Sequence, residues 1–302
     1  MSAGASFDLD AYLAARRRAV DLALERYLPP AVAEPSVVHE AMRYSVFAGG
    51  KRLRPILVIA AAEAAGGHMA DVMPTACSFE LIHTYSLIHD DLPAMDDDDF
   101  RRGRPTSHKV FGEAMAILAG DALLTHGLHL VALNAGLGKT ALDTLPRILA
   151  EITEAAGTSG MIGGQVVDIR SEGKPVSPDT LEYIHAHKTG ALIRAAVRVG
   201  AMLVGAHDDD LAAFTTYGER IGLAFQIVDD VLDVEGSLDT LGKTAGSDQR
   251  KQKLTYPSVH GLPASKARAA QLVHEAQAVL AGFDAAGEPL RALAMFVLNR
   301  TV

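Results

Sequence analysis

The chain has 302 residues, 49% of them hydrophobic, with 37 acidic against 28 basic side chains and a formal net charge of −9. That balance argues against general affinity for nucleic acid or an anionic membrane surface, and the one cysteine, Cys77, excludes an internal disulfide. Ala and Leu dominate, aromatics are 5% and Trp is missing, a mixture that favours helices because small and straight-chain residues lose little on entering one.

Asp8 and Asp10 stand where a signal peptide needs a basic and then an apolar run, so a cytoplasmic protein is expected. After the Pro29-Pro30 and Gly49-Gly50 breaks, apolar residues recur with helical spacing over Leu53 to Ala65, Ala76 to Asp91, Ala114 to Leu133, Leu181 to Val204 and Leu211 to Val234. Several of these segments are apolar nearly all round, as helices inside a large bundle are. Glu63 interrupts the first, and Arg194 and Arg198 the fourth, so neither reads as a membrane span. Cys77 falls inside an apolar helical stretch and reads as core filling. Asp179 after Ser177-Pro178, and Asp208 after Gly205, are expected helix starts. No segment alternates with period two between turn signals, no repeat of solenoid period occurs, and no long linker divides the chain. A single all-α domain over residues 1–302 is expected.

Two acidic clusters carry the chemistry. The first is Asp90-Asp91-Leu92-Pro93-Ala94-Met95-Asp96, followed by Asp97 to Asp99; the second is Asp229-Asp230-Val231-Leu232-Asp233. Each ends a strongly apolar helix. In the second cluster, at about 100° per residue, Asp229 and Asp233 meet one turn apart with Asp230 beside them. Three carboxylates there are unfavourable unless cations neutralise them, and Mg²⁺, which prefers carboxylate and phosphate oxygens, suits them. The first cluster cannot be one helical face, because residues six apart lie about 120° apart. Pro93 supplies an irregularity, and a local bulge there brings Asp96 back toward Asp90. Asp97 to Asp99 read as a solvated charged surface.

With these clusters the sequence resembles the trans-prenyl transferases, and within them the bacterial farnesyl diphosphate synthase branch. The likeness runs through GGKRLRP at Gly49 to Pro55, SLIHDDLPAMDDDDFRRGRPTSH at Ser86 to His108 and GGQVVD at Gly163 to Asp168. It continues through HKTGALIRAAVR at His187 to Arg198, GLAFQIVDDVLDV at Gly222 to Val234 and LGKTAGSDQ at Leu241 to Gln249. The resemblance implies an isoprenoid-synthase-type helical bundle around a deep central cavity, commonly a homodimer. Three Mg²⁺ ions would bridge the clusters to an allylic diphosphate. Asp90, Asp96 and Asp229 would be the principal ligands, with Asp91, Asp230 and Asp233 as further or water-mediated ones.

By the same likeness Lys51, Arg54, His83 and Arg102 match the isopentenyl diphosphate site. Arg101, Lys188 and Lys243 match contacts to the allylic diphosphate, and Thr189 and Gln226 would lie near the allylic cation. Two diphosphates are strongly anionic, and arginine offers them bidentate geometry. The chain departs from the family where Gln252-Lys253-Leu254-Thr255-Tyr256-Pro257 replaces a GKSTYP run, though Lys253 is kept, and it ends Asn299-Arg300-Thr301-Val302 with little of the basic tail found in some members.

Product length in the family depends on bulk just upstream of the first cluster. Tyr85 stands five residues before Asp90, with Ser86 beside it; five helical residues descend about 7.5 Å. An aromatic floor there implies a fifteen-carbon farnesyl product, and geranylgeranyl diphosphate synthase is the alternative. A terpene cyclase would not need Lys51, Arg54 and Arg102. An HD-type phosphohydrolase, suggested by His89-Asp90, would leave the second cluster without a role. A non-catalytic prenyl transferase subunit would be expected to lose one acidic cluster, and both are intact.

Overall fold

The computed structural model describes residues 7–135, 143–174, 177–235 and 255–300. Helices account for nearly all of it: α1 (Leu9–Tyr27), α2 (Ser36–Val46), α3 (Leu53–Ala64), α4 (Met69–Asp90), α5 (Ser107–Phe111), α6 (Glu113–Ala135), α7 (Leu145–Ala156), α8 (Met161–Ser171), α9 (Pro178–Ile184), α10 (Ala191–Leu203) and α11 (Asp208–Glu235). After the undescribed segment come α12 (Tyr256–His260), α13 (Leu262–Ala278) and α14 (Glu288–Asn299). α4 lies along α6, α3 packs between α4 and α10, and α11 packs between α10 and α13. One continuous apolar cluster runs through them from Val20 to Val297, with α3, α4 and α10 almost wholly buried.

The helix starts follow local chemistry. Asp8 caps α1 by accepting from the Ala11 N–H at 2.9 Å, and Ser177 caps α9 from Thr180 at 3.2 Å with Pro178 in the first turn. α11 begins at Asp208 as its residue types suggested. Two elements differ from the expectation. α4 starts seven residues earlier than expected and runs through Pro74, whose missing N–H and bulky ring disturb the ladder. The repair comes from α6: Asn134 accepts from the Thr75 N–H at 3.1 Å and donates to the Asp71 carbonyl at 2.8 Å, so both peptide groups beside the proline stay satisfied.

The expected helix Leu181 to Val204 is interrupted. Residues His185–Gly190 form a wide π-type turn between α9 and α10, a local form that recurs at functional sites. The one sheet among the described residues is a two-stranded hairpin, β1 (Phe100–Arg101) against β2 (Arg104–Pro105). Arg102 and Gly103 at its tip have φ of 54° and 74°, the two positive angles of a turn matched to strand twist. α6 is the one described helix long and apolar enough to cross a membrane. It is also partly buried against α4 and α2, and it leaves Ile117, Leu118 and Leu133 exposed.

Candidate active site

The bulge expected at Pro93 is present. The Asp96 N–H donates to the Asp90 carbonyl at 2.8 Å, while Met95 and Asp97 N–H groups donate to Leu92 at 2.9 and 3.1 Å. The chain therefore folds back on itself after α4 and carries Asp96 to Asp90. Asp97 and Asp99 are exposed, and Asp99 pairs with Lys109 at 2.6 Å.

Around Asp90 the neighbours are specific. Gln165 on α8 donates to its Oδ1 at 2.7 Å, and the Lys188 ammonium stands 3.9 Å from its Oδ2. Lys188 itself is held by Asp168 at 2.7 Å. That placement requires close approach of α8 to the π-type turn: a Cβ on Gly164 would lie 2.2 Å from the Lys188 backbone nitrogen, so only glycine fits. From Lys188 the network continues to Thr189, whose hydroxyl donates to Gln226 Oε1 at 2.8 Å; Gln226 then donates to Asp230 Oδ1 at 3.2 Å. Asp90 and Asp230, one from each acidic cluster, are thus linked through three residues, Lys188, Thr189 and Gln226, the first two joined by their peptide bond.

Asp91 and Asp230 are the most deeply buried of the six aspartates, and each ties two elements together. Asp91, 3% exposed, faces Arg101 with Nε at 2.8 and 3.0 Å and Nη2 at 2.6 Å. Burial pushes the Asp91 carboxyl upward while Arg101 opposes that shift. The expectation that Asp91 serves the metals and Arg101 the allylic diphosphate thus meets a structure in which they hold each other and anchor the hairpin to α4. Asp230, 4% exposed, accepts from the Tyr256 N–H at 2.7 Å, stands 3.3 Å from His185 Nε2, and fastens α12 to α11. Asp90 is likewise held by Gln165, and Asp229 by Arg300 at 2.7 Å.

The basic residues form a second wall. α3 begins without a side-chain cap after the left-handed residue Arg52, so its first N–H groups and positive dipole end are available to an anion. Gly50 lets the hairpin tip dock: a Cβ there would come 2.7 Å from Arg102 Nη1, which donates to the Gly49 carbonyl. Burial lowers the Arg54 guanidinium to about 10, with Arg102 adding to the shift and Glu80 opposing it. His83 is driven well below the ordinary imidazole range by burial first and then by Arg54, Arg102, Arg101 and Arg52. Its ring is neutral at pH 7. Like charges gathered this closely are costly without a counter-anion, and a diphosphate is the anion that such a wall suits.

Lys51 lies 5.7 Å from the centre of the Phe296 ring on α14; burial lowers its pKa, Arg300 lowers it further, and Asp229 opposes both. Lys243 and Lys253 lie outside the described residues. Tyr85 is buried, its ring edge-on to His89 at 5.8 Å, and burial pushes its hydroxyl up to about 12. His89 turns away from the site: its Nε2 is 3.1 Å from the Ile117 carbonyl and its ring fills the space over Gly120 on α6. The His89-Asp90 pair therefore does not face one ion.

Sequence reasoning assigned no role to Arg52, Gln165, Asp168 or Arg300. Arg52 ties three helices together, donating to Asp21 at 2.8 Å, to Glu80 at 2.6 Å and to the Val46 carbonyl at 2.8 Å. Gln165 and Asp168 sit three apart on α8, a spacing that places both on one face, and that was the available signal.

Among the described residues no three acidic or histidine side chains converge tightly enough to hold an ion by themselves. Mg²⁺ commonly takes one or two carboxylates, waters and substrate phosphate oxygens, so paired carboxylates facing an anion-binding wall fit it.

Residues 35–281 match the model of the family described as polyprenyl synthetase. A geranylgeranyl diphosphate synthase of Cyanophora paradoxa is 47% identical over 98% of this chain and 97% of its own length. A dimethylallyltranstransferase of Fischerella ambigua is 48% identical over 98% of this chain and 85% of its own length. Among solved structures, an FPP/GFPP synthase from Zymomonas mobilis superposes with a TM-score of 0.86 at 32% identity, covering 96% of this chain and 98% of that one. The fold is the all-α fold of the prenyl synthases.

Proposed function

Because the chain belongs to the polyprenyl synthetase family, we propose that it is a Mg²⁺-dependent trans-prenyl transferase joining isopentenyl diphosphate to short allylic diphosphates, with geranylgeranyl diphosphate as its product. The observation that carries the reading is the crowding of Arg54, Arg102 and the neutral His83 beside the uncapped start of α3, facing the acidic clusters. One wall takes a diphosphate directly and the other takes one through cations.

The chain's own residues divide the work. Arg54, Arg102 and Lys51 hold isopentenyl diphosphate, with His83 as a neutral hydrogen-bonding partner. Lys188, oriented by Asp168, places its ammonium where charge builds on the allylic leaving group. Thr189, its proton committed to Gln226, keeps oxygen lone pairs for the developing allylic cation. Asp90, Asp96, Asp229 and Asp233 would hold Mg²⁺, which as a Lewis acid neutralises charge on the departing diphosphate. Attack by the isopentenyl double bond forms the new carbon–carbon bond, and the released diphosphate takes the proton. Exclusion of water keeps the cation from being quenched.

The twenty-carbon product is favoured by the relatives named geranylgeranyl diphosphate synthase, in place of the fifteen-carbon product expected above. Helical geometry supports it: Ser86, four residues before Asp90, lies about 40° from its direction, whereas Tyr85 lies about 140° round. Ser86 is small and folds its hydroxyl back to the His83 carbonyl at 2.8 Å. The farnesyl reading keeps one specific observation, the buried aromatic ring of Tyr85 just upstream of the first cluster. The exposed Ile117, Leu118 and Leu133 of α6, with Val110 of α5, support pairing of two copies of the chain.

A product assay with isopentenyl diphosphate and each allylic starter, with and without chelator, tests the reading. A chelator-sensitive twenty-carbon product is expected, and Asp229→Ala should abolish turnover. Condensation unaffected by chelator, or an Asp229→Ala protein with full activity, would overturn it.

A further inference from the structure

The chain's last described residue occupies a place that the proposed chemistry reserves for a metal. Arg300 follows α14 directly, and its side chain is only 4% exposed. Its guanidinium lies 3.8 Å from the centre of the Phe225 ring, its Nη2 donates to the Phe225 carbonyl at 2.6 Å, and the same Nη2 is 2.7 Å from Asp229 Oδ1. Phe225 and Asp229 are one turn apart on α11, so ring, carbonyl and carboxylate make a three-sided seat on one helix face. A planar cation suits that seat, because one side stacks while the edge donates. The seat adjoins the isopentenyl wall: one turn earlier on α14, Phe296 faces Lys51 at 5.7 Å, and Arg300 and Lys51 repel one another.

We propose that Arg300 is a placeholder cation, which holds the Asp229 carboxylate in position until a divalent ion arriving with diphosphate displaces it. This rests on the reading of Asp229 as a metal ligand. One carboxylate oxygen cannot accept a short guanidinium contact and coordinate Mg²⁺ with its full strength at once, so the two cations compete for Asp229. The Asp229 side chain is 42% exposed, which leaves an approach for the incoming ion. When displaced, Arg300 gives up its carboxylate beside Lys51, and the end of α14 carries one more uncompensated positive charge toward the bound diphosphate. Loading of the second acidic cluster and placement of the C-terminal helix are thereby coupled. Arg300 is a positioning residue in this account; it touches no reacting atom.

The test is Mn²⁺ binding, followed by loss of the free-ion electron paramagnetic resonance signal, to full-length protein with inorganic pyrophosphate and no allylic substrate. Arg300→Gln should bind Mn²⁺ about three- to tenfold more tightly than the parent, the scale of a partly buried ion pair removed from competition, while its metal-free form melts at a lower temperature. Unchanged or weaker Mn²⁺ binding in Arg300→Gln overturns the proposal. Should that variant fold poorly, Phe225→Leu, which removes the stacking shelf and keeps the charge, is expected to tighten Mn²⁺ binding by a smaller factor, and no change there overturns the proposal equally. Asp229→Asn separates the two layers of the argument. If it leaves Mn²⁺ binding intact, the ligand reading fails; if it weakens binding while Arg300→Gln has no effect, only the placeholder fails.

Discussion

Replacing Asp91 by Asn separates an anchoring role from a metal-binding one. The carboxylate makes three contacts with Arg101, at 2.8, 3.0 and 2.6 Å, and the two side chains are 5% and 19% exposed. Removing one partner of a fully buried pair costs about 3–5 kcal/mol, because the other charge stays buried. Two features reduce that here: asparagine keeps one acceptor oxygen, and Asp98 at 3.9 Å offers Arg101 a second carboxylate. A loss of about 2–3 kcal/mol is therefore expected, measured by urea unfolding of the metal-free protein. Asp99→Asn, which breaks only the solvent-exposed pair with Lys109, is the control and should leave the unfolding midpoint unchanged. The anchor reading is refuted if Asp91→Asn unfolds at the parent's urea concentration and instead raises the Mg²⁺ concentration needed for turnover.

Three further outcomes are expected. Asn134→Ala strands the Thr75 N–H and the Asp71 carbonyl beside Pro74 and should cost about 2–4 kcal/mol of stability. Turnover per folded molecule, determined after active-site titration, should be unchanged. His83 stays neutral in the folded protein while the unfolded chain takes up a proton as pH falls through about 6.5. Its contribution is therefore complete above that pH and lost as pH drops below it; His83→Gln should flatten the decline in melting temperature between pH 6.5 and 5, and parallel curves would contradict this. Tyr85→Ala should leave the product profile unchanged in chromatography of the dephosphorylated alcohols, because Tyr85 lies about 140° from the Asp90 face; a longer product would return Tyr85 to chain-length control.

Much of this site was legible in the residues, and the limits have physical causes. Three of the five expected helical segments coincide with α3, α6 and α11 to within three residues at either end, because each carries its own apolar periodicity. The back-folded loop after Asp90 was readable from the arithmetic of a six-residue spacing and one proline. What periodicity could not supply was pairing between distant segments. Asp91 and Arg101 are ten positions apart and meet only because Arg102-Gly103 turns with two positive φ angles, which a basic run does not announce. Nor does a proline inside α4 reveal that an asparagine 60 residues later repairs it. The π-type turn was also hidden, because a register slip of one residue leaves the apolar pattern on either side intact.

That turn also bears on how the protein tolerates deletion. A wide turn in a helix amounts to one residue beyond what the flanking α-helical registers need. Excising a single residue from 185–190 would let α9 run straight into α10 with its buried face still toward α3 and α11. Lys188 and Thr189 would rotate away from Asp168 and Gln226, so the extra residue is what sets the alignment of the site.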